Sequence, residues 1–359
     1  MCIRDSIRSP YFIEVAETGQ IGSKIEIFIY NYPNSLPASP NYTLTKSIPS
    51  TTQIGTIYNI SPFIKEYIDN VIPTDNNNLN WTKVRIKRSK ETAIGIYTLL
   101  DTIDYFAVNG YTRYFDGANY TYSNNYINPL IDNTKEVQYS LDSAIPFVNT
   151  LITTTTLDKV DIIYTDLRGR NITTTNFITT GGATISNLYK IPLTTTNTKY
   201  SKGNYTAIKY YLNGTNTLTY NFTVMPICEP KYTPVVCQFI NRFGGWQFLT
   251  FFKAQTNSIN IKGTSYRLNQ DTYNYTANKG QSKSFNINGG QTVKLNTGWI
   301  PESYNDIIQD LLLSENVLLD GKPVEVKTQS TDLKTSLKDR NINYEIEFTY
   351  SFDLINNVI

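Results

Sequence analysis

Histidine is absent from all 359 residues of the chain. This side chain is the usual general base near neutral pH and the commonest metal ligand. A serine–histidine–aspartate triad is therefore excluded, and no imidazole can complete a zinc site. Two explanations stay open: functional exclusion, and an AT-rich codon bias that favours Ile, Asn, Tyr, Lys and Thr.

Charge is also scarce. Charged residues make up 17% of the chain, and 32 Lys plus Arg against 30 Asp plus Glu leave a net charge of +2. A net charge this small gives the protein no strong electrostatic attraction to nucleic acid or to an anionic membrane, so we expect neither partner. No apolar run approaches the ~20 residues that span a bilayer. The start lacks a charged segment followed by an apolar one, so no signal peptide is expected.

Cysteine occurs only three times. Cys2 lies in Met1-Cys-Ile-Arg-Asp-Ser6, which resembles a translated sequencing adapter, and residues 1–6 are predicted to be such an artefact. Cys228 and Cys237 remain, with no histidine or further cysteine to complete a metal site. We expect two buried free thiols; a disulfide between them is the alternative.

The residues that are abundant favour β-structure. The chain has 28 Tyr and 16 Phe, and it is rich in Thr and Asn. We predict a mainly β fold with two tandem β-sandwiches, resembling immunoglobulin or fibronectin type III domains, and a C-terminal β-rich domain with one packed α-helix. The predicted domains are residues 10–144, with an aromatic-rich extension, then 145–226 and 227–359.

Local patterns place the main elements. Residues 24–30 and 81–90 are predicted strands, and Ser61-Pro62 is predicted to cap and begin a short helix. Two apolar arms with a strict period of two flank Asn213-Gly214, which predicts a hairpin.

The C-terminal domain carries four further predictions. Asn241-Arg-Phe-Gly-Gly is a predicted turn between two strands, and residues 318–326 are a predicted hairpin across Asp320-Gly321. Residues 285–295 are a predicted hairpin across residues 288–290. Residues 301–315 carry an amphipathic helix pattern, and residues 342–352 alternate as a half-buried strand does.

Two groups of acidic residues are candidate cation sites. Glu302, Asp306 and Asp310 lie at i, i+4 and i+8 on one predicted helix face, where they more simply keep the helix soluble. A second group lacks the spacing of an EF-hand loop. It comprises Asp101, Asp104, Asp116 and Asn119. We therefore predict no metal ligand, and likewise no catalytic or cofactor-binding residue.

Basic and aromatic residues offer two candidate binding surfaces. The densest basic cluster is Lys83, Arg85, Lys87, Arg88 and Lys90. It fits the solvated side of a half-buried strand, and a polyanion contact or subunit ion pair is the alternative. Stacking on glycans is the alternative to core packing for the aromatic residues. These are Trp81, Trp246, Trp299 and the tyrosines of residues 111–126.

A set of motifs in the last 130 residues or so resembles uncharacterised virion structural proteins of tailed phages that infect Bacteroidetes-type bacteria. The resemblance rests on Cys228-Glu-Pro-Lys-Tyr-Thr-Pro234, Asn241-Arg-Phe-Gly-Gly-Trp246 with Phe251-Phe-Lys253, Leu311-Leu-Leu-Ser-Glu-Asn-Val317, and Lys334-Thr-Ser-Leu-Lys-Asp339 leading to Asn343-Tyr-Glu-Ile-Glu-Phe348. These are packing and turn motifs, so they imply a lineage and carry over no catalytic residue. The sheet with one helix also resembles tail-tube and tail-hub folds, an analogy of layout.

The sequence therefore predicts a non-enzymatic virion protein of the phage tail or baseplate, assembled in the bacterial cytoplasm. Its expected partners are further copies of itself and other virion proteins. The alternative is a bacterial surface adhesin or glycan-binding protein, which would use its exposed aromatic residues on a host glycan. No cofactor is expected.

Overall fold

The computed structural model describes most of the chain. The described residues are 3–30, 35–49, 53–68, 81–119, 127–132, 135–140, 145–166, 170–193, 204–212, 216–227, 231–269, 273, 278, 280–333 and 341–356. They form two compact units. Unit 1 comprises Met1–Pro226 with Phe239–Leu249, and unit 2 comprises Ile227–Gln238 with Thr250–Ile359.

The first thirteen strands belong to unit 1. In chain order they are β1 (Ile3–Ser6), β2 (Phe12–Ala16), β3 (Gly22–Tyr30), β4 (Tyr42–Ser47), β5 (Gly55–Asn59), β6 (Trp81–Ala93), β7 (Ile96–Val108), β8 (Ile127–Pro129), β9 (Glu136–Ser140), β10 (Phe147–Thr165), β11 (Asn171–Pro192), β12 (Asn204–Leu212) and β13 (Asn216–Ile227). The helix α1 (Ser61–Lys65) follows β5, and a 3-10 turn spans Tyr114–Asp116.

Two layers enclose the first core of unit 1. One layer is a sheet in the order β1-β7-β6-β3-β4, and the other is the β2–β5 pair with α1. Alternate side chains of β3, such as Ile25 and Ile27, are fully buried against Ile13, Tyr58 and Ile64. This arrangement is a β-sandwich, because each layer buries one face of alternating apolar residues.

The helix prediction was correct in position and wrong in its cap. The residue before α1, Ile60, is the N-cap and makes no side-chain capping bond. Ser61 is the first helical residue, and its hydroxyl accepts from the amide of Tyr11 (3.0 Å) and donates to the carbonyl of Ser9 (2.7 Å). The hydroxyl therefore joins α1 to β2, a tertiary use that a local capping rule does not foresee.

A second sheet of unit 1 has the order β11-β10-β12-β13-β9, with β8 also paired to β10. The predicted hairpin of β12 and β13 is confirmed, with Ile208 opposite Tyr220 and Tyr210 opposite Leu218. Its Asn213-Gly214 turn lies outside the described residues. Trp81, Phe106 and Val108 of the first sheet share a buried cluster with residues of the second sheet, such as Leu151 and Leu188.

A buried polar turn completes unit 1. The side chain of Asn241 is fully buried, and its oxygen accepts from the amides of Phe243 (3.0 Å) and Gly245 (3.1 Å). Its nitrogen donates to the carbonyl of Leu130 (3.0 Å) and to the side-chain oxygen of Gln247 (2.9 Å). A Cβ on Gly245 would lie 2.3 Å from the Leu130 carbonyl oxygen, so glycine is required there. The predicted Asn-Arg-Phe-Gly-Gly turn is thereby confirmed.

Unit 2 contains the remaining strands, of which the first two also have residues in unit 1. They are β14 (Val235–Ile240), β15 (Trp246–Phe251), β16 (Thr256–Arg267), β17 (Ser282–Asn296), β18 (Ile300–Pro301), β19 (Val317–Leu319), β20 (Lys322–Val326), β21 (Asn341–Ile342) and β22 (Glu345–Asp353). One seven-stranded sheet has the order β15-β14-β19-β20-β22-β17-β16, and β18 pairs with β21. In β22, Ile346 and Phe348 are buried between Glu345, Glu347 and Thr349, as the alternation predicted.

Of the two predicted hairpins in this unit, one is confirmed and one is wrong. β19 and β20 pair across Asp320-Gly321, both with positive φ, as a two-residue hairpin turn requires. Residues 288–290, in contrast, lie inside the continuous strand β17, which pairs with β16 on one side and β22 on the other. Gly289 lies opposite Ile261, and its missing side chain leaves space that Leu354 and Ile259 approach.

The predicted long helix is shorter than its pattern. Pro301 lies in β18, Glu302–Tyr304 form a 3-10 turn, and α2 spans only Asn305–Leu312. The predicted apolar stripe is buried at Tyr304, Ile307, Ile308 and Leu311. The hydroxyl of Tyr344 donates to the side-chain oxygen of Asn305 (2.5 Å), which anchors the helix start.

The predicted fold class is confirmed: the chain is mainly β, with several antiparallel sheets and one short helix in unit 2. The division into three domains stays a prediction, as do the immunoglobulin or fibronectin likeness and the adapter origin of residues 1–6. Ile3–Ser6 nevertheless form β1, which pairs parallel with β7.

Replacing Asn241 by Ala tests the polar turn. The substitution leaves two amides, one carbonyl and Gln247 without their partner in a fully buried site. We expect the free energy of unfolding to fall by about 2–4 kcal/mol, measured by urea denaturation. Asn221→Ala, at an exposed position of β13, is the control and should change stability by less than about 0.5 kcal/mol. Equal effects of the two variants would contradict this role of Asn241.

Candidate assembly surface

The hairpin of β16 and β17 is the least covered part of unit 2. Every residue of β16 is exposed, and so are the first six residues of β17. The strands pair from Thr256 opposite Lys294 to Arg267 opposite Ser282, and one further hydrogen bond joins the Leu268 amide to the Gln281 carbonyl (2.8 Å). We call this hairpin, residues 256–268 with 281–296, the arm. Two-stranded hairpins are marginally stable in water, so an uncovered arm of this length gains from a partner.

An aliphatic row runs along one face of the arm. Its members are Ile259, Ile261, Ile287 and Leu354, which are 60%, 72%, 47% and 46% exposed. Ile259, Ile261 and Leu354 share a face around Gly289, which lies opposite Ile261. A Cβ atom added to Gly289 would lie 3.2 Å from the side chain of Leu354 and 3.4 Å from that of Ile259. Ile287 lies at the end of the row, where a Cβ atom added to Gly263 would be 3.1 Å from its side chain. Apolar side chains gathered on an exposed strand typically mark an interaction site.

The C-terminal segment is held beside β17 by Asn288. The side-chain nitrogen of Asn288 donates to the carbonyl of Ile355 (2.9 Å), and its oxygen accepts from the amide of Ile355 (3.0 Å). The amide of Leu354 donates to the carbonyl of Gly289 (2.7 Å). Asn288 therefore acts as a clamp for the segment after β22, and not as the turn residue that the sequence predicted.

The opposite face of the arm is polar and shallowly concave. A cleft of about 370 Å³ is lined by Asn260, Lys262, Asn288, Gly289, Gly290, Thr292, Lys327, Thr349, Tyr350 and Asp353. Lys327 forms an ion pair with Glu347 (2.9 Å), and Lys294 forms one with Glu345 (3.0 Å). The cleft offers amide, hydroxyl and ammonium groups, which is the chemistry that hydrogen-bonds a polar ligand.

The predicted basic cluster is largely neutralised inside unit 1. Arg85 forms two bonds with Asp104 (2.6 and 2.8 Å), and Arg88 forms two with Asp101, one of 2.8 Å. The register places each pair directly opposite on β6 and β7. Hydrogen bonding by Arg88 lowers the pKa of Asp101 below its usual value. The arginines of the cluster and the first two residues of the candidate calcium loop are thus partners of each other.

Two of the three lysines in the same cluster lie over aromatic rings. Lys87 lies 4.9 Å from the ring centre of Phe28, and Lys83 lies 5.9 Å from that of Trp81. These cation–π contacts and the arginine pairs give four of the five basic residues a partner within the chain.

Asp116 and Asn119 of the candidate calcium loop make hydrogen bonds to the backbone. Asp116 accepts from the Arg113 amide (3.0 Å), and the Asn119 side chain binds both the amide and the carbonyl of Phe12 (2.7 Å each). Asp310 was predicted on the solvated face of the helix, and this was wrong: it is buried. Among the described residues, no group of three or more potential metal ligands occurs.

The aromatic candidates divide by exposure. Trp81 and Trp246 are buried, whereas Trp299 is 68% exposed. Tyr114 and Phe115 are also exposed, and residues 120–126 lie outside the described residues. Cys237 is a buried free thiol, and burial raises its pKa well above the usual value; Cys228 is outside the described ranges.

Sequence reasoning missed the arm because it treated the Asn-Gly-Gly tripeptide as a turn. The signal that could have found the arm is the alternation of Ser258, Ile259, Asn260, Ile261 and Lys262, followed by a second strand of similar length. Nothing in that local pattern shows that both faces stay uncovered.

Comparison with known proteins gives no family. No protein-family model and no curated protein matches the chain. A crystal structure of a Salmonella alpha-2-macroglobulin mutant aligns with a TM-score of 0.20 and 8% identity, over 97% of this chain. The chain spans 27% of that structure's length. In the part of the chain that the structure describes, no helix is long and apolar enough to cross a membrane.

The Arg88–Asp101 pair predicts a pH effect on stability. A carboxyl group whose folded-state pKa is lowered stabilises the protein above its unfolded pKa, and this contribution is lost as the pH falls through the folded value. Asp101→Asn removes it. We therefore expect the melting temperature of the variant to lie below that of the wild type at pH 7, and the gap to close between about pH 4 and pH 2.

Asp332→Asn, at an exposed position, is the control for this measurement. Its melting curve should follow that of the wild type at every pH. A gap between Asp101→Asn and the wild type that is as large at pH 2 as at pH 7 would contradict the assignment.

Proposed function

We propose that the protein is a structural component of a tailed-phage virion, in the tail or baseplate, and that it acts by subunit assembly through the arm. The proposed assembly role depends on one observation about β16. This strand forms the edge of a seven-stranded sheet, and every one of its residues is exposed. An edge strand presents unpaired N–H and C=O groups to any chain that approaches. The resemblance of the C-terminal motifs to virion proteins supports the phage context.

The chemistry of the arm supports assembly more than catalysis. The aliphatic row offers apolar surface, and the edge offers hydrogen bonds, which together form the usual content of strand-addition interfaces. Of the candidate charged residues, Arg85, Arg88, Asp101 and Asp104 are used in ion pairs within the chain, and Asp116 accepts a backbone hydrogen bond. The proposed partners are neighbouring copies of this chain and other virion proteins, and the proposed location is the virion.

Binding of a host glycan is a second candidate, supported by the polar cleft of unit 2 and by exposed Trp299. It is favoured less because Trp81 and Trp246 lie in cores. A glycan array probed with the full chain separates the two functions. Selective retention by one class of sugar, without self-association, would favour the adhesin.

Charge placed on the aliphatic row tests assembly. In the double variant Ile259→Lys plus Ile261→Lys, an interface that covers the row must bury or repel two added charges. We expect light scattering of the full-length wild type to show mass rising with concentration. The double variant should need at least about ten-fold higher concentration for the same mass.

A matched control carries the same charges elsewhere. Ile94 and Ile96, at the β6–β7 turn, are 92% and 60% exposed, so Ile94→Lys plus Ile96→Lys adds equal charge outside the arm. This control should assemble like the wild type. A wild type that stays monomeric at all concentrations, or a control that loses assembly equally, counts against the arm.

The virion assignment has its own test. Peptide mass spectrometry of gradient-purified particles of the phage that encodes the chain should detect it in fixed ratio to the capsid protein. Recovery only in the envelope fraction of the bacteria would overturn the virion role and favour the adhesin.

A further inference from the structure

We propose that the arm binds a second copy of the chain by antiparallel pairing of β16 with β16 about a two-fold axis at Asn260. This inference rests on the proposed assembly function and names its partner. In this register Ile259 of each copy faces Ile261 of the other, and residues 256–264 of both copies are paired. A two-fold interface uses the same patch twice, so β16 must be complementary to itself.

One edge of β16 is free to pair with another strand. β16 ends the order of its sheet, and among the described residues it pairs only with β17. One row of its backbone groups is therefore open to a further strand. The opposite end of the sheet, β15, is buried along its whole length, so β16 is the exposed end.

The side chains then select the register. Residues that face each other in an antiparallel pair project to the same face of the sheet, so only residues of equal parity can be opposite. With the axis at Asn260, both isoleucines of each copy meet an isoleucine, on the face of the aliphatic row. With the axis at Ile259 or Ile261, one isoleucine of each copy instead faces Asn257 or Gly263. The pairing at Asn260 is therefore the register with the most apolar cross-strand contact.

Repulsion between lysines excludes a two-fold axis at Lys262. Lys262 and Arg267 are the charged residues of β16, and both are positive. An axis at Lys262 would put the two lysines directly opposite each other, which is destabilising. With the axis at Asn260, Lys262 faces Ser258 of the other copy, and the two lysines are separated by four residues, about 13 Å along the strands. Lys262 thus discourages slippage and does not prevent pairing.

The irregularity of the arm limits the paired length. The register of β16 with β17 shifts between Lys262 and Thr264, and Asn286 on β17 has a positive φ of 51°. A bulge of this kind increases local twist, so the strand turns away beyond it. The paired segment of residues 256–264 ends at that point.

Disulfide trapping tests this register. In the full-length chain with Cys2→Ser and Cys228→Ser, Asn260→Cys puts one thiol on the two-fold axis, and Cys237 stays because it is buried. Facing residues in an antiparallel pair lie about 4.5–5.5 Å apart between Cα atoms, within the range of a disulfide. Diamide accepts the two protons and two electrons of the two thiols. We expect a covalent dimer on non-reducing gels.

Two neighbouring positions on the same face serve as matched controls. Ser258→Cys and Lys262→Cys each place their two thiols about 13 Å apart, so neither alone should cross-link. Both substitutions in one chain bring residue 258 of each copy opposite residue 262 of the other, and this variant should cross-link. Dimers from Ser258→Cys or Lys262→Cys alone, or none from Asn260→Cys, would overturn the register.

The outcomes separate this inference from the proposed function. If the wild type assembles and the lysine variants of the row abolish assembly, but Asn260→Cys gives no dimer, the arm binds a different surface and only the self-pairing fails. If the wild type neither assembles nor occurs in virions, the proposed function fails as well. Asn260→Cys should cross-link more slowly when Ile259→Lys and Ile261→Lys are added to the same chain. Equal cross-linking rates with and without the two lysines would point to random collision and overturn the pairing.

Discussion

A β-strand carries two rows of backbone polar groups, and within the described residues β16 uses only the row that faces β17. The proposed function of this protein depends on the second row of β16, which is open to another strand. Strands inside the sheet, such as β22, have neighbours on both sides and bury Ile346 and Phe348. In the part of the chain that the structure describes, β16 has one neighbouring strand, and all of its residues, including Ile259 and Ile261, are exposed. An external strand satisfies both needs together, because hydrogen bonds along the edge place apolar side chains next to each other.

In unit 1, most of the polar and charged residues that the sequence offered as candidates have partners within the chain. Asn241 satisfies two amides and one carbonyl while fully buried, and the Arg85–Asp104 and Arg88–Asp101 pairs use the positions that face each other across β6 and β7. Lys87 lies over Phe28. Residues that resemble binding groups in the sequence therefore stabilise the sheet. The contrast explains why we place the interaction surface in unit 2.

No family model or curated relative matches the chain, so the proposed function depends on the contacts and exposure of its own residues. The aligned macroglobulin structure, at a TM-score of 0.20, contributes nothing to it. The proposed phage context depends on short C-terminal motifs, part of which, residues 334–340, lies outside the described ranges. The assembly role comes from exposure, edge position and the aliphatic row. These two lines are independent, and each has its own experiment.

Local patterns in the sequence were enough to predict the mainly β class, the β12–β13 hairpin, the Asp320-Gly321 turn and the alternation of β22. These features depend on local rules: a period of two, and turn residues that tolerate positive φ. Only the tertiary structure decided that residues 288–290 continue a strand, because β16 and β22 pair with them from both sides and Leu354 takes the space beside Gly289. The same holds for the burial of Asp310, and for the pairing of Arg88 with Asp101, which depends on the register of β6 with β7. The exposure of the arm is the clearest case, since a pattern of alternating residues specifies two faces and only the packed chain decides whether anything covers them.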